Sequence, residues 1–359
     1  MALGDVTGDD VPDVITAPGR GGGPHVKVFD GVSLREVRSF FAYDPSVVGG
    51  VWVAAGDVNG DGTEDILTGP GHLAGGPHVK VFDGRTGSEL QSFFAYDPAF
   101  VGGVIVSAGD TDGDGRAEVV TAAWTGGGPH VKVFDARTLD EKLGFFAYDP
   151  GFAGGDWVAT GDVTGDGRDE VITAPGTGAA GHVKVFDGAS GREHGAFLAY
   201  LEPDTGFTGG VRAGTADVTG DGVADLITAA GPAGPADVLV IDGVKINEVN
   251  PGGLIADSAV LRAFPPFDPR FTGGAFVATL NVNTRPTFVN RSLTSAAGEG
   301  GDVILTGTIV DPDPLDLFHL DVDWGDGVRE TFTFGPGADG TAVTVRHAYA
   351  DDAEQYQVR

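Results

Sequence analysis

The sequence predicts an all-β protein. A β-propeller of about five four-stranded blades fills residues 1–284, and a small β-sandwich that stops before its last strand fills 285–359. Three observations predict it. Asp5, Asp57, Asp110, Asp162 and Asp217 open the same kind of segment at spacings of 52, 53, 52 and 55 residues, and a fixed period of this length marks a repeat architecture. Each segment holds four short runs rich in β-branched and aromatic side chains, bounded by Gly, Pro and Asp, with no sustained helical period. The third observation is compositional: 61 Gly and 21 Pro punctuate 359 residues, while 41% hydrophobic residues supply a core despite a net charge of -30.

The second repeat shows the elements in order. An acidic loop from Asp57 to Asp65 leads into Ile66-Leu67-Thr68, a Gly/Pro turn, His78-Val79-Lys80-Val81-Phe82, a second turn and Gln91-Ser92-Phe93-Phe94-Ala95-Tyr96. A Gly102-Gly103 pair then introduces Val104-Ile105-Val106-Ser107-Ala108-Gly109 and the next acidic loop. Four strands in about 52 residues suit a propeller blade better than a solenoid coil, which holds fewer strands per turn. In Phe93-Phe94-Ala95-Tyr96 successive side chains point to opposite faces. Large rings on both faces imply a sheet covered on both sides by its neighbours.

Only Met1 to Gly4 precede the first acidic loop, too few for a full strand. Ala275-Phe276-Val277-Ala278-Thr279 is an orphan copy of the run that precedes the other loops, so it is expected to complete the first blade beside Ile15 and close a five-bladed ring. From Arg285 the repeat stops. Strands are expected at Val303–Ile309, Phe318–Trp324, Glu330–Phe334 and Ala342–Val345, and Tyr356-Gln357-Val358 begins one more.

Composition also excludes function classes. With no Cys there is no disulfide framework, thiolate metal site or Cys nucleophile. The acidic charge repels phosphate backbones and anionic lipid, so nucleic acid is not an expected partner. No run of about 18 apolar residues spans a bilayer. Met1-Ala2-Leu3-Gly4-Asp5 lacks the basic start and apolar stretch of a signal peptide, so either the chain is cytoplasmic or its true N-terminus is missing.

The acidic loops carry the chemistry. In the second loop, oxygen side chains stand at loop positions 1, 3, 5 and 9 (Asp57, Asn59, Asp61, Asp65), with Gly62 at 6 to permit the left-handed turn that wraps the chain round an ion. Asp5, Thr7, Asp9 and Asp13 repeat the set in the first loop, with Asp10 where Gly is expected. The third holds Asp110, Asp112, Asp114 and Glu118; the fourth Asp162, Thr164, Asp166 and Glu170; the fifth Asp217, Thr219, Asp221 and Asp225. At position 7 only the main-chain carbonyl is expected to ligate, so the side chain varies freely: Val11, Thr63, Arg116, Arg168, Val223. A hard cation needs six to eight such oxygens, and calcium suits this carboxylate-rich set better than magnesium, which retains its waters. Asp-Gly steps also make polar hairpin turns. Turn chemistry explains one such step, but not three or four oxygens at fixed offsets repeated five times. Position 12, where a helix-flanked calcium loop needs a bidentate Glu, holds Thr16, Thr68, Thr121, Thr173 and Thr228, so these loops are strand-flanked and close on position 9. Up to five calcium sites are expected, one per repeat.

Other signals read as structural. Gly176-Thr177-Gly178-Ala179-Ala180-Gly181 has the spacing of a dinucleotide-binding turn but leads into a strand. His25, His78, His130 and His182 recur at one blade position, each two residues before a Lys, which repetition generates by itself. Trp52 and Trp157 read as packing residues before sugar platforms. No nucleophile elbow or zinc-binding His pair is present, so no enzyme activity is expected.

The run Val53-Ala54-Ala55-Gly56-Asp57-Val58-Asn59-Gly60-Asp61-Gly62, followed by Asp65-Ile66-Leu67-Thr68-Gly69-Pro70, closely resembles the FG-GAP repeat of the integrin α type, also called VCBS, over residues 1 to about 281. The resemblance implies a propeller whose loop between the first two strands of a blade binds calcium. A sixth copy, Asn281-Val282-Asn283-Thr284-Arg285, has lost its carboxylates. The C-terminal part resembles a PKD domain, an immunoglobulin-like β-sandwich, through Trp324-Gly325-Asp326-Gly327, His347-Ala348-Tyr349-Ala350-Asp351 and Tyr356; Ala353-Glu354-Gln355 departs from the usual Gly turn. Both families imply an extracellular or cell-surface location, and the resemblance alone implies a bacterial source. The expectation is a non-catalytic, calcium-stabilised surface module for adhesion or for binding a protein or glycan ligand. The alternative is an accessory region of a larger secreted hydrolase.

Overall fold

A computed structural model describes residues 1–9, 11–200, 207–235, 237–268, 270–279, 287–295, 302–310, 318–324, 328–334 and 342–348. The chain forms two compact units, residues 1–216 with 223–281 and residues 217–222 with 282–359. Asp10, the sixth loop copy at 281–285 with the expected boundary at 284/285, Gly325–Gly327, and all residues from Tyr349 onward, including Ala353–Gln355 and Tyr356, lie outside the described residues.

Five antiparallel four-stranded sheets make the first unit, each from consecutive strands in chain order. The first comprises Ala2–Gly4, Asp13–Thr16, His25–Phe29 and Glu36–Phe41; the second Val51–Gly56, Asp65–Pro70, His78–Phe82 and Glu89–Phe94. The third comprises Val104–Gly109, Glu118–Ala123, His130–Phe134 and Glu141–Phe146; the fourth Asp156–Gly161, Glu170–Pro175, Gly181–Phe186 and Glu193–Tyr200; the fifth Val211–Ala216, Asp225–Ala230, Val238–Ile241 and Val260–Phe264. The first strands lie side by side in chain order. With residues 277–279 they line one axial cavity of about 260 Å³, a propeller-like arrangement.

Three kinds of contact recur between consecutive sheets. A Gly-Gly step starts each new sheet; at Gly50, φ is +84° and a Cβ would stand 2.6 Å from the carbonyl carbon of Gly19, so only glycine fits. Phe40, Phe93 and Phe145 lay their rings on Phe82, Phe134 and Phe186 of the following sheet, at 4.6 to 4.9 Å between centroids. Finally, Tyr43, Tyr96, Tyr148 and Tyr200 each reach across to donate to main-chain carbonyls of the following sheet.

Two expectations are corrected. The first sheet does not borrow its first strand from the end of the repeats: Ala2 pairs with Ile15, Leu3 with Val14 and Gly4 with Asp13. Three residues suffice because the strand they meet, Asp13–Thr16, is itself only four residues long. Residues 275–279 dock instead on the fifth sheet, where Ala275 N donates to Ala230 O (3.2 Å) and Thr215 N to Thr279 Oγ1 (3.0 Å). Nor are both aromatic faces covered by neighbours. Phe41, Phe94 and Phe146 are 53%, 50% and 50% exposed and stack on His25, His78 and His130 of their own sheets.

In the second unit, Thr287–Ser295, Asp302–Val310 and Ala342–Ala348 form a three-stranded antiparallel sheet, and Phe318–Asp323 pairs with Arg329–Phe334. Both sheets contribute to one core around the fully buried Trp324, whose Nε1 donates to Glu330 Oε2 at 2.7 Å. The strand Thr287–Ser295 was not expected. Its register shifts between Val289 and Ser292, and Asn290 has φ +53°, which breaks the period-two pattern.

Candidate metal centre

In the first four sheets each acidic loop sits at the tip of the hairpin between the first and second strands, and the position-1 aspartate organises it. Asp57 Oδ1 accepts from the N–H groups of Gly60 (2.6 Å) and Asp61 (3.1 Å), and its Oδ2 accepts from Gly62 (2.8 Å). Asp110 and Asp162 gather the same three donors in their loops, Gly113, Asp114, Gly115 and Gly165, Asp166, Gly167. In the first loop Asp5 takes Gly8 and Asp9. Within the fifth loop, Asp217 takes Gly220, Asp221 and Gly222. Gathering donors this way forces a left-handed residue twice. Gly62, Gly115, Gly167 and Gly222 have φ of +80° to +83°, as position 6 requires, and Gly8, Gly60, Gly113, Gly165 and Gly220 at position 4 have φ of +73° to +80°. The second glycine was legible in the sequence as an invariant of the repeat but was not singled out.

Position 5 turns the chain toward position 7: the Asp9, Asp61, Asp114 and Asp166 carboxylates accept from the N–H groups of Val11, Thr63, Arg116 and Arg168. Position 9 closes the loop from the second strand. Asp13, Asp65, Glu118 and Glu170 are 0 to 3% exposed, and each accepts the N–H of loop position 2 (Val6, Val58, Thr111, Val163). Asp225 is equally buried and accepts from Gly243. At position 3, Asn59 and Thr164 donate to the position-9 carboxylates Asp65 and Glu170.

In Asp13, Asp65 and Glu170 the cost of burial outweighs the hydrogen bonds these carboxylates accept. Burial, with repulsion from Asp61 and Asp57, pushes Asp65 up to about 6. Burial, with repulsion from Asp162 and Asp166, pushes Glu170 up to about 7. Burial also raises Asp13. A cation placed among them would reverse that direction, because opposite charge favours the ionised form. Among the described residues, one set of three carboxylates has oxygens mutually within 4.8 Å: Asp110, Asp112 and Glu118. The oxygen-only donor set fits a hard cation.

The loops also lie on the seams between sheets. Position 8 donates its N–H to the position-1 carbonyl of the preceding loop: Glu64 to Asp5 (3.0 Å), Ala117 to Asp57 (2.8 Å), Asp169 to Asp110 (2.8 Å) and Ala224 to Asp162 (2.7 Å). The side chain at position 7 varies in identity yet has a neighbour in the preceding loop. Thr63, Arg116, Arg168 and Val223 each lie against the position-4 glycine of the preceding loop (Gly8, Gly60, Gly113, Gly165), and Arg116 Nη1 also donates to Asn59 O. Size and charge vary there because a glycine surface accepts any side chain that reaches it.

The other singled-out residues are placed as follows. His25 and His78 bond Ser39 and Ser92 through Nε2 (2.7 and 2.8 Å), and the Lys two residues on pairs with a Glu of the outer strand, as in Lys80–Glu89 at 2.6 Å. Trp52 and Trp157 pack edge to face at 5.0 Å, joined by Trp124 and Phe276, and the Arg212 guanidinium lies 4.9 Å from the Phe276 ring centre. Gly176–Gly181 leads into the strand Gly181–Phe186, as expected.

No family model matches the chain, and no curated protein matches it. Among solved structures, it is similar to the biofilm matrix protein Bap1 of V. cholerae (16% identity, TM-score 0.40), covering 95% of this chain and 58% of that one. It is similar to a lectin of Agrocybe aegerita described as recognising non-reducing terminal N-acetylglucosamine (17% identity, TM-score 0.40), covering 98% and 85%. A third is the Dos1 propeller (13% identity, TM-score 0.41), covering 80% and 62%. The chain thus spans less than two thirds of the length of the first and third.

Proposed function

We propose that the chain is a non-catalytic module, stabilised by calcium, that works outside the cell or on its surface in adhesion or in binding a protein or glycan. The observation that carries the calcium part is the repetition of one loop geometry. A position-1 aspartate folds the loop inward, glycines at positions 4 and 6 take left-handed angles, and a buried carboxylate closes position 9. Asp57, Asn59, Asp61 and Asp65, with the Thr63 carbonyl, would hold an ion in the second loop. Their counterparts, Asp5, Thr7, Asp9, Val11 and Asp13 among them, would hold it in the others. When bound, the ion supplies charge compensation and cross-linking.

The chain's own residues explain why that cross-link would act beyond a single loop. The position-1 carbonyl is already tied to the N–H of position 8 in the next sheet, so fixing one loop fixes a seam. The five loops hold 19 acidic residues, whose repulsion opposes folding when uncompensated. Extracellular calcium modules bind at about 0.1 to 1 mM, and tenfold excess over the dissociation constant stabilises each site by about 1.4 kcal/mol. The row of sheets presents its loops and rims as a binding surface, while the fold itself names no ligand.

The test is a glycan and protein array probed with the full chain, with and without calcium, alongside calorimetric calcium titration. Calcium binding with calcium-dependent capture of one ligand class supports the reading. A chain that takes up no calcium and melts identically in excess chelator refutes it.

A further inference from the structure

In the third loop, a lysine from the outermost strand of the same sheet reaches the carboxylates. Lys142 sends its ammonium to Asp112 Oδ2 and to Glu118 Oε1, the latter at 3.1 Å, inside the group whose third member is Asp110. Glu118 is 4% exposed at its side chain and Lys142 30%, so the pair is shielded from bulk water on one side.

The backbone explains how a residue on the outermost strand reaches this loop. Lys142 is the extra residue of a β-bulge: Phe134 pairs with Glu141 and Val133 with Leu143, which leaves Lys142 unpaired and re-aimed. The same bulge recurs in every sheet of the first unit, where it carries Val37, Leu90, His194 and Leu261. Among these five side chains, lysine alone combines a permanent positive charge at neutral pH with a four-carbon reach. The neighbouring Glu141 is occupied by Lys132 at 2.6 Å, as its counterparts are in the first, second and fourth sheets, so Lys142 does not owe its position to that pair.

Resting on the calcium reading above, we propose that Lys142 is a tethered cation that stands in for the metal in the third loop, making that loop a weak calcium site. Ligand charge alone would make it the strongest, since Asp112 stands where the other loops have Thr7, Asn59, Thr164 and Thr219. The lysine reverses that order. It cancels one carboxylate and occupies oxygens that an incoming ion must first win back. The loop is then held shut by the protein itself at calcium levels where the second needs the ion.

The experiment compares the full chain with Lys142→Leu, which installs the second sheet's residue, and Lys142→Gln, which keeps length and polarity without charge. Native mass spectrometry and calorimetry would follow calcium uptake, and melting in excess chelator would follow the metal-free fold. Both variants are expected to bind one more ion per chain than the wild type at intermediate calcium, with affinity at that site higher by about tenfold. Both are expected to melt below the wild type in chelator. Identical uptake curves for all three proteins overturn the inference and leave the calcium reading standing. No uptake by any of them overturns the calcium reading and the inference with it.

Discussion

The hydroxyl of Tyr96, on the third sheet's side of the second sheet, donates to the main-chain carbonyl of His130 at 2.8 Å and to that of Thr121 at 3.1 Å. Tyr43, Tyr148 and Tyr200 make the same crossing to Thr68 and His78, to Thr173 and His182, and to Thr228 and Asp237. The threonine at loop position 12 also takes part through its side chain, since its Oγ1 lies 3.1 to 3.2 Å from the same hydroxyl in all four cases. Burial pushes the Tyr96 phenol well above its usual range, which keeps it a donor. Tyr96→Phe preserves the ring and removes the donor, leaving carbonyls at the seam short of a partner. A loss of about 1 to 2 kcal/mol in denaturant unfolding is expected, with no change in calcium uptake.

Asp57 and Asp61 both belong to the second loop, but Asp57 gathers three main-chain N–H groups, whereas Asp61 accepts one among the described residues, from Thr63. Removing metal should therefore separate them. In calcium, Asp57→Ala and Asp61→Ala each cost one bound ion and lower the melting temperature. In excess chelator, Asp57→Ala is expected to remain destabilised by about 1 to 3 kcal/mol, because the donors it gathered lose their acceptor. Asp61→Ala is expected to lie close to the wild type, having relieved repulsion among the acids. Calorimetric melting of both variants in each condition would show it, and equal melting of the two in chelator would count against the loop geometry.

How much of this was legible in the sequence follows from what repeats. Most strands of the repeat, and the spacing of loop positions 1, 3, 5, 6 and 9 along one hairpin, follow from local sequence. What escaped depends on neighbours in space. Glu64 and Asp169 sit at position 8, where the side chain varies, yet their N–H groups hold the seams. Lys142 lies 24 residues beyond Glu118 and reaches it only because a bulge turns its side chain inward. The strand Ala2–Gly4 was dismissed on length, although its pairing partner is almost as short.

The aromatic cluster offers a separate check on the axial packing. Phe276 is 63% exposed, yet its ring meets Trp157 at 5.6 Å and covers the Arg212 guanidinium, whose charge is partly buried and whose tendency to stay protonated is lowered by that burial. Phe276→Ala would uncover the guanidinium and loosen residues 275–279 from the fifth sheet. A modest loss of about 1 kcal/mol is expected, with a change in tryptophan fluorescence as the Trp52–Trp157 pair gains water. An unaltered emission spectrum would indicate that the ring is not packed there.

Asp156 is fully buried at the start of the fourth sheet's first strand, and neither carboxylate oxygen has a hydrogen-bond partner among the described residues. Valine fills the same place in the second, third and fifth sheets, at Val51, Val104 and Val211. Burial raises the Asp156 carboxyl to about 8, so the fold favours its protonated form. The sign follows directly. Stability from this group is fully present below the ordinary aspartate range near 4, declines as pH rises through the interval to about 8, and is flat above it. Each pH unit within that interval costs about 1.4 kcal/mol. Asp156→Val removes the titrating group and fills its space with the side chain that the neighbouring sheets use. The variant is expected to unfold only slightly later than the wild type at pH 5, clearly later at pH 7, and later still at pH 9. Unfolding of both proteins across that range isolates Asp156 from the loop carboxylates, which titrate in each. A stability difference that stays constant between pH 5 and pH 9 would mean that the carboxyl is charged or partnered in the fold.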